Sequence, residues 1–410
     1  MILNLQDFII RYYMFRCRFA EMPWPFLKCS KRHLVLHMDI NKTIIQVDQA
    51  GGRTLDDVLN SNVAANVYGL IDSKDNRWKA LYGPFDKTVT SLPSSAGELI
   101  TYDAYIDRLY CEPPGMQELP KQEKDAVWKT VSNLRRQATG KFTHTGEPGE
   151  AYAPLVELQR QHLKCGDEYY HIIPSFFKLI NNLSELDMPF TLIFRTFGSD
   201  LGSVLQEWRS FVQGEHICKP AGPILQRMRD NYREPLCGSI YRNADEIYIC
   251  YGPQVSLSAL LGPRFEETHS EKVLEHLRRL PGCTSACETS FADLNDNIVH
   301  YFAGSNNVGG LVDYYPNWAQ GAERRTGGKV FPVPLRDPNS YYVFFDDNIF
   351  MGDERSIVDL RETGSSESIL DPEIERKYCV PANAFKAIVD DNYFVDELRE
   401  CLTLQSGNAL

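Results

Sequence analysis

The pentapeptide Asp39-Ile40-Asn41-Lys42-Thr43 constrains this chain most, because it directly follows the apolar run Leu34-Val35-Leu36-His37-Met38. A run this short and apolar reads as a strand buried on both faces, as in a parallel sheet covered by helices. The aspartate that ends such a strand lies at the carboxyl edge of the sheet, where open α/β sheets bind ligands. A second run of the same kind, Tyr341-Tyr342-Val343-Phe344-Phe345, ends in Asp346-Asp347. A third, Thr191-Leu192-Ile193-Phe194-Arg195, leads into Thr196-Phe197-Gly198-Ser199-Asp200. Two carboxylate sites far apart in sequence, each at a strand end, suggest one metal-assisted active site closed by the fold.

Helical spacing surrounds the middle strand. Ile172, Ile173, Phe176, Phe177 and Ile180 predict a helix over 169–184, and Leu201, Val204, Leu205, Trp208 and Val212 predict another over 200–213. Strand–helix alternation of this kind favours a parallel sheet covered on both faces. Further helices are expected over 271–280 and 383–403. The predicted layout is a helical extension over 1–32, an α/β core from 33–104 and 165–410, and a cap-like insertion over 105–164. An irregular insertion, glycine-rich from 304 to 310, is expected within that core near 214–325.

Composition narrows the function classes. The chain has 410 residues, 43% of them hydrophobic, so it can bury a large core without disulfide or metal staples. A net charge of −12 offers no phosphate footprint, which argues against nucleic-acid binding. No run reaches the ~18 apolar residues of a membrane span. Eleven cysteines, with Cys283 and Cys287 the closest pair, form no zinc or disulfide framework. They read as reduced thiols of a cytoplasmic protein. The basic residues among the first 32 are interrupted by Asp7 and Glu21, so a packed N-terminal helix is favoured over a presequence.

Taken in order, these motifs resemble the haloacid dehalogenase-like (HAD-like) superfamily, whose members are mostly phosphatases. Asp39-Ile40-Asn41-Lys42-Thr43 matches the first motif, normally Asp-x-Asp-x-Thr after a hydrophobic strand. Thr196 matches the second, Lys329 in Gly327-Gly328-Lys329-Val330 the third, and Asp346-Asp347 the fourth. Arg324 or Arg325 could stand in for Lys329. The motifs span about three quarters of the chain.

The resemblance implies a Rossmann-like α/β/α domain with a mainly parallel sheet and inserted cap material. It also implies Mg²⁺ held by Asp39, the Asn41 carbonyl and Asp346 or Asp347, with Asp39 as nucleophile. Thr196 would bind phosphate, with Thr43, Gly198 and Lys329 beside it, and Lys329 would also stabilise developing charge. Inserted segments in this superfamily form caps that select substrate. The gaps from Asp39 to Thr196 and from Thr196 to Lys329 each far exceed the ~30 residues of a strand–helix–strand step. Residues 105–150 and the aromatic segment 313–318 are therefore candidates for substrate contacts, although those aromatics serve equally as packing residues.

One position departs from the pattern. Asn41 stands where family phosphatases carry the Asp that protonates the leaving oxygen and later deprotonates water. An amide cannot carry that proton, and general acid–base assistance is typically worth ~10²–10⁴ in rate. The expectation is a Mg²⁺-dependent hydrolase acting on a small phosphorylated molecule, slowed at position 41. A binding or regulatory protein of the same fold is the alternative. An unrelated Rossmann-like nucleotide binder is the third reading, although neither Gly-x-Gly-x-x-Gly nor Gly-x₄-Gly-Lys-Ser/Thr occurs.

Overall fold

A computed structural model describes residues 32–46, 52–72, 74–86, 99–111, 113–243, 246–252, 270–320, 323–365 and 367–407. The helical extension expected over 1–32 lies outside them, apart from Arg32. Strand β1 (His33–Asp39) is buried from Leu34 onward, as its apolar sequence requires. The chain then builds a separate compact unit, Gln46–Tyr170, before resuming the unit to which β1 belongs.

The inserted unit contains α1 (Leu55–Ala64), β2 (Tyr68–Ile71), β3 (Trp78–Tyr82), β4 (Leu99–Thr101) and α2 (Tyr102–Leu109). A 20-residue helix, α3 (Lys121–Gly140), and α4 (Ala153–Leu163) follow. The short hairpin β5 (Lys164–Cys165) and β6 (Glu168–Tyr169) ends it. The three longer strands form an antiparallel sheet in the order β3-β2-β4. This unit is wider than the 105–164 expected, and α1 is the reason. Asn62 Nδ2 donates to Gln159 Oε1 at 3.1 Å, Gln159 Nε2 donates to the Leu59 carbonyl at 3.1 Å, and Asn60 Oδ1 accepts from Thr143. These buried amides tie 55–64 to partners some hundred residues away, a pairing with no local signature.

The other unit is α/β with a large, mostly parallel central sheet flanked by helices. Its strands are β1, β7 (Phe190–Thr196), β8 (Leu236–Asn243), β9 (Glu246–Tyr251), β10 (Ser285–Thr289), β11 (Val308–Asp313), β13 (Ser340–Asp346) and β15 (Cys379–Pro381). Their order is β10-β9-β8-β11-β7-β1-β13-β15, antiparallel only at β8-β9 and β9-β10. A separate parallel pair joins β12 (Lys329–Val333) to β14 (Val358–Glu362). The three apolar runs of the sequence are thus the adjacent central strands, with Leu36 level with Leu192 on one side and Val343 on the other. From β1 the chain passes to β7, then beyond it to β8, β9 and β10, comes back to fill the gap beside β7 as β11, and crosses to the opposite side of β1 as β13. Such a reversal opens a crevice beyond the strand ends.

Residues 214–325 are not an irregular insertion, because β8 to β11 make up half of this sheet. The polar, turn-rich stretches between these strands hid them. The glycine-rich stretch contributes β11 itself, where a Cβ at Gly309 would meet Phe302 Cε1 at 2.0 Å and the Leu236 carbonyl oxygen at 2.5 Å. Only glycine allows that approach of backbone to ring.

Helix boundaries also differ. α5 (Pro174–Glu185) begins five residues later than expected, because Pro174 takes the first helical turn. Ile172 and Ile173 are buried ahead of it, with Ile172 bridged to Ile45. α6 (Leu201–Gln213) matches expectation, and the helix predicted over 271–280 is Ser270–Arg278. The closing helix is broken into Ala384–Val389 and Tyr393–Gln405 at Asp390-Asp391-Asn392. Among the described residues no helix is long and apolar enough to cross a membrane. The nine described cysteines are free thiols.

Candidate functional site

The pentapeptide closes into a tight turn at the end of β1. The amides of Ile44 and Ile45 both donate to the Ile40 carbonyl at 3.0 Å, and Lys42 occupies the left-handed region at φ 59°. This turn brings Thr43 back beneath Asp39, whose Oδ2 accepts from Thr43 Oγ1 at 3.0 Å. The Thr43 side chain, fully buried, is therefore a support for Asp39.

Asp346 ends β13 beside Asp39, and its Oδ1 accepts from the Asn348 amide at 2.9 Å. Asn348 Nδ2 in turn holds Asp347 Oδ1 at 2.8 Å. One oxygen from each of Asp39, Asp346 and Asp347 lies within 4.8 Å of the others. Lys329 opens β12 with 1% of its surface exposed. Its ammonium bonds Asp39 Oδ1 and, at 2.7 Å, Asp346 Oδ2. It lies in a strand rather than in the glycine-rich loop suggested by its neighbours. The alternatives are engaged elsewhere: Arg325 is buried against Glu375, and Arg324 is exposed beside Glu354.

Electrostatics follow from this crowding. Burial pushes the Asp39 carboxyl well above the usual range; Lys329 pulls it back, and Asp346 and Asp347 raise it again. Burial also raises Asp347, to about 6, with Lys42 and Lys329 lowering it and Asp346 raising it. Burial disfavours the Lys329 ammonium, yet Asp346, Asp39 and Asp313 outweigh it and hold its proton above the ordinary range. With all three carboxylates ionised, buried Lys329 and the partly exposed Lys42, 3.8 Å from Asp347, still leave one negative charge uncompensated. That donor set suits a hard divalent cation, which takes oxygen ligands.

Thr196 ends β7 on the other side of β1. Its Oγ1 accepts from the Gly198 amide at 2.8 Å and lies 3.4 Å from Asn41 Oδ1. Asn41 Nδ2 donates to Asp200 Oδ2 at 3.0 Å. Asp200 precedes α6 in the position of an N-cap, but its side chain makes no capping bond. Its carboxylate instead faces the residue that departs from the Asp-x-Asp pattern. Sequence reasoning passed over Asp200, although the Thr196-Phe197-Gly198-Ser199-Asp200 turn contained it.

A second missed group lies within the strands. Arg195 forms a two-pronged bond with Asp313, at 2.9 and 2.6 Å, and donates to His37 Nδ1 at 3.1 Å. All three are buried. Burial, then the Arg195 charge, holds the His37 imidazole well below its ordinary pKa, so it is neutral. A charged residue inside an apolar strand was the available signal. From the aromatic segment, Tyr314 packs near Tyr241 at 4.9 Å, whereas Tyr315 is 41% exposed.

Asp39, Thr43, Lys329, Asp346 and Asp347 thus form one cluster, and Asn41, Thr196 and Gly198 form a second hydrogen-bonded group with Asp200. The pentapeptide is common to both. No protein-family model matches the chain, and neither a curated protein nor a solved structure matches it.

Proposed function

We propose that this protein is a HAD-like, Mg²⁺-dependent phosphatase that acts on a small phosphorylated molecule through Asp39. The observation that carries the reading is the Lys329 ammonium bonded to both Asp39 and Asp346, with Asp347 beside them. A lysine buried among carboxylates at a sheet switch point is a costly arrangement to keep for structure alone.

Asp39, Asp346 and Asp347 would hold the cation, whose charge would screen the phosphoryl oxygens from the attacking carboxylate. Thr43 and Lys329 hold the Asp39 carboxylate in one orientation, ready for in-line attack on phosphorus. The Thr196 hydroxyl, at the second strand end, would take a phosphate oxygen. Asp200 takes the acid–base work that Asn41 cannot do. Its carboxylic acid gives a proton to the leaving oxygen as the ester P–O bond breaks and Asp39 becomes phosphorylated. The resulting carboxylate then takes a proton from water as the water oxygen bonds phosphorus and the bond to Asp39 breaks. Asn41 keeps Asp200 in place by its 3.0 Å hydrogen bond.

The test is Mg²⁺-dependent phosphate release from an aryl phosphate by the wild type, Asp39→Asn and Asn41→Asp. Activity that vanishes in Asp39→Asn supports the reading. An inert wild type that gains activity in Asn41→Asp favours the second reading, a binding protein with a disabled site, for which Asn41 is the motive. Inert variants throughout, with no Mg²⁺ bound, would sink both.

A further inference from the structure

One ring borders the cluster at the carboxyl edge of the sheet, and two more pack on it. Phe197 follows Thr196 directly, and the Lys329 ammonium lies 5.3 Å from its ring centroid. Trp318 stacks on Phe197 with centroids 5.8 Å apart and planes inclined by 15°. Tyr315 stands edge-on to both, at 5.7 Å from Phe197 and 5.9 Å from Trp318. The rings therefore lead from the lysine that contacts Asp39 to a tyrosine that is 41% exposed.

Trp318 adds an independent pointer. Its Nε1 is buried and has no hydrogen-bond partner among the described residues. A buried donor left unpaired is destabilising, and such groups call for an explanation. An acceptor on a ring that displaces the atoms covering Nε1 would remove that cost. Stacked aromatic faces with one free donor are a common way to hold a flat heteroaromatic ring.

We propose that Phe197, Tyr315 and Trp318 form the shelf for the leaving group, and that the substrate is a phosphate monoester carrying a flat aromatic or heteroaromatic ring. The inference rests on the phosphatase reading, since Asp39 and Lys329 fix where the phosphate sits. The ring then extends past Phe197 toward Tyr315, the end open to water. Small polyol phosphates have no face to stack and gain nothing from the shelf.

The experiment has a kinetic and a binding arm, both with Mg²⁺ present. In the first, 1-naphthyl phosphate and adenosine 5′-phosphate are compared with glycerol 3-phosphate, in the wild type and in Tyr315→Ala and Trp318→Phe. Tyr315 is exposed enough for its variant to fold, and Trp318→Phe keeps a ring while removing the donor. One lost aromatic contact, face-on or edge-on, is worth up to about tenfold. KM for one or both ring-bearing substrates should rise by about that factor in Tyr315→Ala, with KM for glycerol 3-phosphate unmoved. Preference for the naphthyl ester alone would mean an aryl substrate, and for the nucleotide alone a nucleobase. Equal wild-type efficiency on all three, or equal KM changes, would overturn the proposal. The second arm is saturable quenching of tryptophan fluorescence by 1-naphthyl phosphate in Asp39→Asn, weakened by adding Tyr315→Ala. If no phosphate is released by any variant, the phosphatase reading fails, and this arm still decides the shelf: quenching that Tyr315→Ala leaves unchanged rejects it.

Discussion

Lys329 joins Asp39 to Asp346, with Lys329 and Asp39 290 positions apart in the chain. One buried ammonium thereby balances part of a three-carboxylate cluster in which Asp39 and Asp346 are buried and Asp347 is partly exposed. Removing one partner of a buried ion pair costs about 3–5 kcal/mol, because the other charge stays uncompensated. Lys329→Met should therefore lower the stability at neutral pH by about that amount, read from denaturant unfolding. Millimolar Mg²⁺ should recover part of the loss. An unchanged midpoint would mean the cluster tolerates its own charge.

Cation binding should itself be visible as stabilisation. A ligand at 100 times its Kd stabilises by about 2.7 kcal/mol, so Mg²⁺ should raise the thermal midpoint of the wild type. Asp346→Asn and Asp347→Asn should each abolish most of that shift. If both variants respond to Mg²⁺ like the wild type, the ion binds elsewhere.

The pH dependence follows from Asp347, raised from 3.8 to about 6. Between those values the folded protein keeps a proton that the unfolded chain has released. Without a divalent cation, stability contributed at this site is therefore full below about 4 and is lost as pH rises through about 6. Burial moves Asp39 the same way. Mg²⁺ competes with those protons, so its stabilising effect should grow between pH 5 and 7. Asp347→Asn should flatten both trends; a wild-type Mg²⁺ effect independent of pH would contradict the assignment.

Asp200 and Asn41 are tested by exchange. If Asp200 is the acid–base group proposed above, Asp200→Asn should slow turnover of an alkyl phosphate by ~10²–10⁴, or about 2.7–5.4 kcal/mol of barrier. The loss should be smaller for an ester whose leaving group needs no proton. The double variant Asn41→Asp with Asp200→Asn puts the carboxylate on the other side of the same hydrogen bond and should regain much of the rate. Full activity in Asp200→Asn alone would assign the proton to another group.

Gly309 tests the sheet outside the site. Alanine there would set its Cβ against Phe302 and the Leu236 carbonyl. Overpacking typically costs about 1–3 kcal/mol, and Gly309→Ala should lose at least that by denaturant unfolding. Gly364→Ala is a control for left-handed strain without crowding, since Gly364 has φ 87° and open space around it.

The sequence by itself determined the three central strands, the residues that end them and the departure at Asn41. A strand buried on both faces must be apolar along its length, so its position and its terminal polar residue are written locally. It also singled out Lys329, though only through the family's order of motifs; its own neighbours suggested a loop. The tertiary structure decided what depends on pairing across long intervals. That includes β8 to β11 in the main sheet, α1 in the inserted unit, and the Arg195–Asp313–His37 network. It also decided that Asp200 faces Asn41 instead of capping its helix. A side chain's partner across a sheet edge is set by which strand ends lie side by side, and no window of neighbouring residues contains that.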